Sequence, residues 1–157
     1  MNSGIHHISS VNASRATGLD SFNLSYRYKP DGLDHTLYGV HIPSQLQAAL
    51  NRGSVQAFSL EALPRNGLAA WLLPDSTNFV LLGVCNQDGT EELATPRTLN
   101  LARYLGGAIA VLVGATGLFL AVETHSWFAL GLGVVATHAL RSLLNLPQAT
   151  PLTRGGQ

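Results

Sequence analysis

Residues 120–128 read LAVETHSWF, a polar island of Glu123, Thr124, His125 and Ser126 between two strongly apolar runs. Upstream, 104–122 (YLGGAIAVLVGATGLFLAV) contains no acid, base or histidine. A helix of this length is about 28 Å long, close to the roughly 30 Å hydrocarbon thickness of a bilayer. Downstream, 127–146 (WFALGLGVVATHALRSLLNL) is interrupted by the ionisable His138 and Arg141 and closed by Pro147. Arg141 lies near one end, where its long stem carries the guanidinium to the headgroups. Neither run has the polar face of a surface helix. Two such helices need a large protein core to cover them, and residues 1–96 are too few to supply it. The island therefore reads as the tip of a transmembrane hairpin with spans at 104–122 and 127–146.

The flanks agree. Arg97 and Arg103 precede the first run, Arg141 and Arg154 fall at or after the end of the second, and the island has no Lys or Arg. The positive-inside rule then predicts both termini in the cytoplasm, with the hairpin in a membrane of the bacterial inner-membrane type. Tyr104 and Trp127 are amphipathic rings at opposite ends of the first crossing and, with Arg103 and Arg141, are the expected interface anchors. Gly106, Ala110, Gly114, Gly117 and Ala121 fall along one stripe, and Ala129, Gly133 and Thr137 repeat a four-residue spacing on the second helix. Small residues let backbones approach closely where lipid supplies no hydrophobic drive. Packing within the hairpin is the expected use of the stripes, ahead of oligomerisation. His138, three residues from Arg141, is expected to be solvated near the interface rather than to relay protons.

Charge divides the chain in the same place. Residues 1–96 hold all the acidic residues except Glu123, against only Arg15, Arg27, Lys29, Arg52 and Arg65. Charged residues are 11% of the whole, well under the roughly 25% of a soluble domain. Cys85 is the only cysteine, which rules out an intrachain disulfide and fits a reducing compartment. The first 30 residues lack a signal-peptide pattern, so the N-terminal part is expected to stay cytoplasmic.

In that part SFNLSYRYK, 21–29, alternates apolar and polar residues with the period of a half-buried strand. The same reading makes strands of 5–11, 36–42, 54–60, 68–73 and 79–85, with Tyr38, Val40 and Ile42 on one side of the second of these. A short helix follows Pro43, with Ser44 as N-cap, Leu46, Ala49 and Leu50 on one face, and Gly53 as its stop. Asn66-Gly67, Pro74-Asp75-Ser76 and Asp88-Gly89 supply turns. The expected fold class is an α+β membrane protein. A small antiparallel β-barrel over 1–88, with the OB-like order β-β-β-α-β-β, precedes the hairpin at 103–146. Residues 89–102 read as a linker with a helix start capped by Thr98 or Asn100, and 147–157 as a disordered tail.

No catalytic constellation emerges. His6 and His7 are neighbours and face opposite sides of a strand, and His35 and His41 lie in or beside another, so no metal site or cofactor is expected. Cys85 and His41 form a nucleophile pair only if the fold joins them. Asp31, Asp34 and Asp88 suit turns. Tyr26, Tyr28, Tyr38 and Trp71 resemble a base-stacking set, but the domain is net acidic and nucleic acid is not an expected partner. The leading expectation is a non-enzymatic accessory or scaffold subunit in a membrane complex, its β-domain meeting a protein partner or a second copy. A pore-forming or bilayer-disrupting effector, and a tethered enzymatic or ligand-binding barrel, are the alternatives.

Overall fold

The computed structural model describes residues 4–16, 21–63, 68–74, 76–125, 127–149 and 151–152. They fall into two compact units, one of residues 1–96 and 147–157, the other Arg97–Leu146.

The first unit is a closed β-barrel. Its strands are β1 (Gly4–Arg15), β2 (Phe22–Tyr28), β3 (Asp34–His41), β4 (Val55–Ala62) and β5 (Phe79–Asn86). The long β1 serves two neighbours: Gly4–His7 pairs with β4, and Ile8–Arg15 pairs with β2. β2 pairs with β3 and β4 with β5, all antiparallel. The ring closes where Val40 and His41 of β3 meet Phe79 and Val80 of β5 in parallel. The barrel is therefore mixed, which corrects the expected antiparallel one. The reason is arithmetic: around an odd number of strands, directions cannot alternate throughout.

Ile8, Leu24, Tyr26, Val40, Phe58, Leu60, Leu81 and Val84 fill the interior. On β2 the predicted alternation is present, with Leu24 and Tyr26 buried and Ser25 and Arg27 exposed. On β3 it breaks. Val40 and Ile42 are buried, but Tyr38 is 66% exposed and Leu37 takes the inward position. Phe22 pairs with Val40 while Leu24 pairs with Leu37, so β3 holds one extra residue in a bulge. Gly39 occupies that bulge at φ +70°, and a Cβ there would strike the Ser76 carbonyl oxygen.

Helix α1 (Ser44–Asn51) joins β3 to β4 and buries Leu46, Ala49 and Leu50. Pro43 is its N-cap and Ser44 makes no capping bond, so Ser44 is the first helical residue rather than the cap. Gly53 at φ +70° ends the helix and donates to the Leu50 carbonyl.

Three segments differ from expectation. Residues 68–73 were expected to be a strand, yet Leu68–Leu72 is a helix, α2. Both edges of β4 and β5 are engaged, and LAAWL contains no β-branched residue to favour a pleat. Within the expected linker, Glu91–Leu93 forms β6 against Gly83–Cys85. The Asp88-Gly89 turn closes that hairpin: Asp88 Oδ1 accepts from the Thr90 amide at 2.9 Å and hydroxyl at 2.6 Å. Finally, the start of the expected tail is tied down. The Ala149 amide donates to Thr95 Oγ1 at 3.0 Å, the Leu152 amide donates to Glu91, and Leu152 is buried near Gly83. The turn expected at Asn66-Gly67, Asp75 and residues 153–157 lie outside the described residues.

The second unit is a helical hairpin. α3 (Arg97–Leu101), a π-helical turn at Ala102–Gly106 and α4 (Gly107–Thr124) run on as one apolar helix of 28 residues. It starts at Arg97, directly after Pro96, so the expected caps Thr98 and Asn100 lie inside it. His125 takes the left-handed conformation at φ 53° after α4, and α5 runs Trp127–Leu144.

The barrel's closure makes a specific demand at Gly39. Gly39→Ala adds a backbone collision to left-handed strain and is expected to lower unfolding free energy by about 2 kcal/mol or more. Gly32→Ala, at φ +68° with nothing within 4 Å of a new Cβ, is expected to cost about 1 kcal/mol. Urea unfolding of the two variants checks the order; equal losses contradict the role given to the Ser76 contact.

Candidate functional site

The hairpin is held by small residues. A Cβ on Gly117 would lie 3.0 Å from the Ala129 carbonyl oxygen and 3.2 Å from the Gly133 amide nitrogen. Gly114 faces the Ala136 methyl at 3.4 Å, and Gly106 faces the Leu143 side chain at 2.9 Å. Ala110, Ala129 and Ala136 are buried between the helices, and Ala121 is half-buried. Of the second stripe, Ala129 lies in this seam and Gly133 contributes backbone. Thr137 is exposed, its hydroxyl donating to the Gly133 carbonyl at 2.8 Å. Thr124 and Ser142 do the same four residues back, to Leu120 and His138. Each of these hydroxyls is thus satisfied within its own helix, an arrangement that needs no water.

The outer faces are the reverse. Ile109, Leu112, Phe119, Val122, Phe128 and Val134 are between 62% and 79% exposed. Only 11% of the most apolar window of the first helix and 17% of the second is buried. These are not the core helices of this chain. The four expected anchors stand at the hairpin's ends. Tyr104 is 75% exposed and Trp127 86% exposed, Arg141 is exposed, and Arg103 is half-buried with its guanidinium on the Leu146 carbonyl.

The barrel contains a cluster that sequence reasoning missed. His6 lies stacked on Phe58, with ring centroids 5.3 Å apart, and Tyr26 meets the same Phe58 edge-on at 5.0 Å. His35 stacks on Tyr26 at 5.5 Å, and Tyr28 packs edge-on to both His6 and His35. His35 Nε2 lies 3.3 Å from Asp31 Oδ2. His6 Nε2 and the Tyr26 hydroxyl are buried without a hydrogen-bond partner among the described residues. Burial raises the Tyr26 hydroxyl above the ordinary tyrosine value, with Tyr28 and Asp31 adding to it. The cluster draws on four strands, and the one signal of it in the sequence was the inward alternation of Tyr26 and Tyr28.

Other expected constellations are not assembled. His41 pairs with Val80, five residues along β5 from Cys85, a separation of about 16 Å. The Cys85 thiol instead contacts Gln56 Nε2 at 3.5 Å and the Asn86 carbonyl. Tyr26 is buried, Tyr38 turns outward from the bulge, and Trp71 is 82% exposed on α2, so the four aromatic rings do not form one platform. Asp31 and Asp88 accept turn bonds as expected, whereas Asp34 makes a two-point pair with Arg27 at 2.8 and 3.0 Å. Among the described residues no three His, Cys, Asp or Glu side chains converge on a point that could hold a metal ion. No family model, curated protein or solved structure matches the chain.

The barrel's histidines give it a pH dependence. His6 is held below the ordinary value of 6.5 by burial and then by His35, and His41 by burial. Below about pH 6.5 the unfolded chain binds more protons than the folded one, so stability present above that pH is lost as the pH falls. Glu61, whose carboxyl burial raises, has the opposite sign and gains as the pH falls. His6→Phe, which keeps a ring on Phe58, is expected to reduce the loss of thermal stability of the full-length chain between about pH 7 and pH 5. An unchanged pH slope contradicts the assignment.

Proposed function

We propose that the helical unit is a transmembrane hairpin and the barrel an OB-like module on the cytoplasmic face. The chain then serves as a membrane-anchored accessory or scaffold subunit, the barrel engaging a protein partner or a second copy. The observation that carries this reading is the outward exposure of the hairpin's large apolar side chains, combined with a seam that leaves them all facing away. In support of orientation, Arg103 and Arg141 lie at the open end of the hairpin and Glu123 and His125 at its tip. In support of the OB-like reading, five strands close in the order β1-β2-β3-β5-β4 with α1 between β3 and β4. The barrel's role in assembly rests on its exposed surface features, Trp71 and Tyr38 among them, rings of the type enriched at protein interfaces.

Topology tests this reading. In a Cys85→Ser background, Glu123→Cys is expected to react with an impermeant thiol reagent on intact cells, and Gln87→Cys only after permeabilisation. The reverse pattern overturns the orientation. Leu112, 70% exposed at mid-helix, separates a bilayer from water. Leu112→Lys placed in the Glu123→Cys chain is expected to reduce external labelling, since lysine at a span's centre costs about 3 kcal/mol of insertion. For a helix in water the same change is worth within about ±0.5 kcal/mol and labelling would not move.

A further inference from the structure

Beside the seam, α4 and α5 leave an open groove of about 510 Å³. Its floor is glycine, Gly114 on α4 and Gly133 on α5, its walls include Leu118 and Leu130, and His138 and Arg141 stand at one end. A Cβ on Gly133 would meet nothing within 4 Å, so the groove is open above that residue. We propose that this groove binds one anionic phospholipid, with an acyl chain over the two glycines and the headgroup phosphate on Arg141. This rests on the transmembrane reading given above.

Three features favour that occupant. From Leu130 to Arg141 the groove runs about 16 Å along α5, the depth of roughly one leaflet of a 30 Å hydrocarbon core. Its volume is in the range of sites that hold single small ligands, about 300–1,000 Å³. Its charge is complementary to a phosphate and not to a second hairpin. The hairpin's only carboxylate is Glu123 at the tip, about 20 Å from Arg141 along the helix axis. A second hairpin of the same orientation would bring its own Arg141 to that level and no acid to neutralise it. Arginine pairs with phosphate through two parallel hydrogen bonds, and the cytoplasmic leaflet is the anionic one.

Glycine supplies a matched pair of variants. Gly133→Leu fills the groove, whereas Gly131→Leu, whose Cβ also meets nothing within 4 Å, adds the same side chain away from the lining. The full-length chain and the variants Gly131→Leu, Gly133→Leu and Arg141→Gln are purified in mild detergent with equal phosphatidylglycerol and phosphatidylcholine. Native mass spectrometry then counts the lipid retained. The expected result is one phosphatidylglycerol on the parent chain and on Gly131→Leu, with retention lowered about tenfold in the other two. Equal retention by all four proteins, equal retention of both lipids, or lipid-free dimers of the parent chain overturn the proposal. Alkaline extraction of the same membranes reports anchoring separately. Loss of lipid from Gly133→Leu while it remains anchored isolates the groove from the hairpin.

Discussion

Among the described residues the outer faces of the hairpin are exposed and apolar, and the rest of the account follows from this constraint. Removing a large apolar side chain from water is worth roughly 1.5–3 kcal/mol. For Ile109, Leu112, Phe119, Val122, Phe128 and Val134 together that is on the order of 10–20 kcal/mol, comparable with the roughly 5–15 kcal/mol that holds a whole domain folded. Whatever covers these faces therefore dominates the energetics of the unit. The seam shows the complementary choice. Gly117 brings α4 onto the α5 backbone at Ala129 and Gly133, an adhesion by close packing that works without a hydrophobic drive between the helices. The hydroxyls of Thr124, Thr137 and Ser142 bond inside their own helices. The proposed lipid surroundings fit all three features together.

The barrel solves a different problem. It closes on itself, so no long β-edge remains among the core strands, and one polar network at its end is satisfied locally. Buried Asn86 donates to Thr90 Oγ1 at 3.0 Å and to Glu92 Oε1 at 3.3 Å, and Arg52 of the α1 terminus reaches the same Glu92 oxygen at 2.6 Å. The network ties the β5–β6 turn to the end of α1. Its ion pair is half exposed and worth little by itself; the buried amide is the costly member to lose. The exceptions are His6 Nε2, Ser21 Oγ, the Tyr26 hydroxyl and Thr77 Oγ1, buried without a hydrogen-bond partner among the described residues, and two of the four lie in the His6–Tyr26 cluster. Such atoms weaken the barrel, and His6 makes the weakness at its cluster sensitive to protonation.

Sequence patterns revealed the elements whose periodicity is long or whose neighbours do not matter. The two apolar runs, the alternating β2 and the apolar face of α1 are of that kind. What was not legible depends on tertiary neighbours. LAAWL reads equally as a short strand or a helix until the occupied edges of β4 and β5 remove the first option. EEL in 91–93 is too polar to announce a strand, and becomes one because the Asp88-Gly89 turn delivers it to β5. The Gly39 bulge reverses Tyr38 and Leu37, a one-residue slip that alternation cannot foresee. The histidine–tyrosine cluster joins residues from β1, β2, β3 and β4, and only the closed ring puts them together.

The most direct test of the central claim is extraction of the intact chain from cell membranes. If bilayer lipid covers the exposed faces of α4 and α5, the protein stays in the pellet through alkaline carbonate and is released only by detergent. Recovery of the full-length chain from a detergent-free lysate as a monodisperse, folded particle would contradict it.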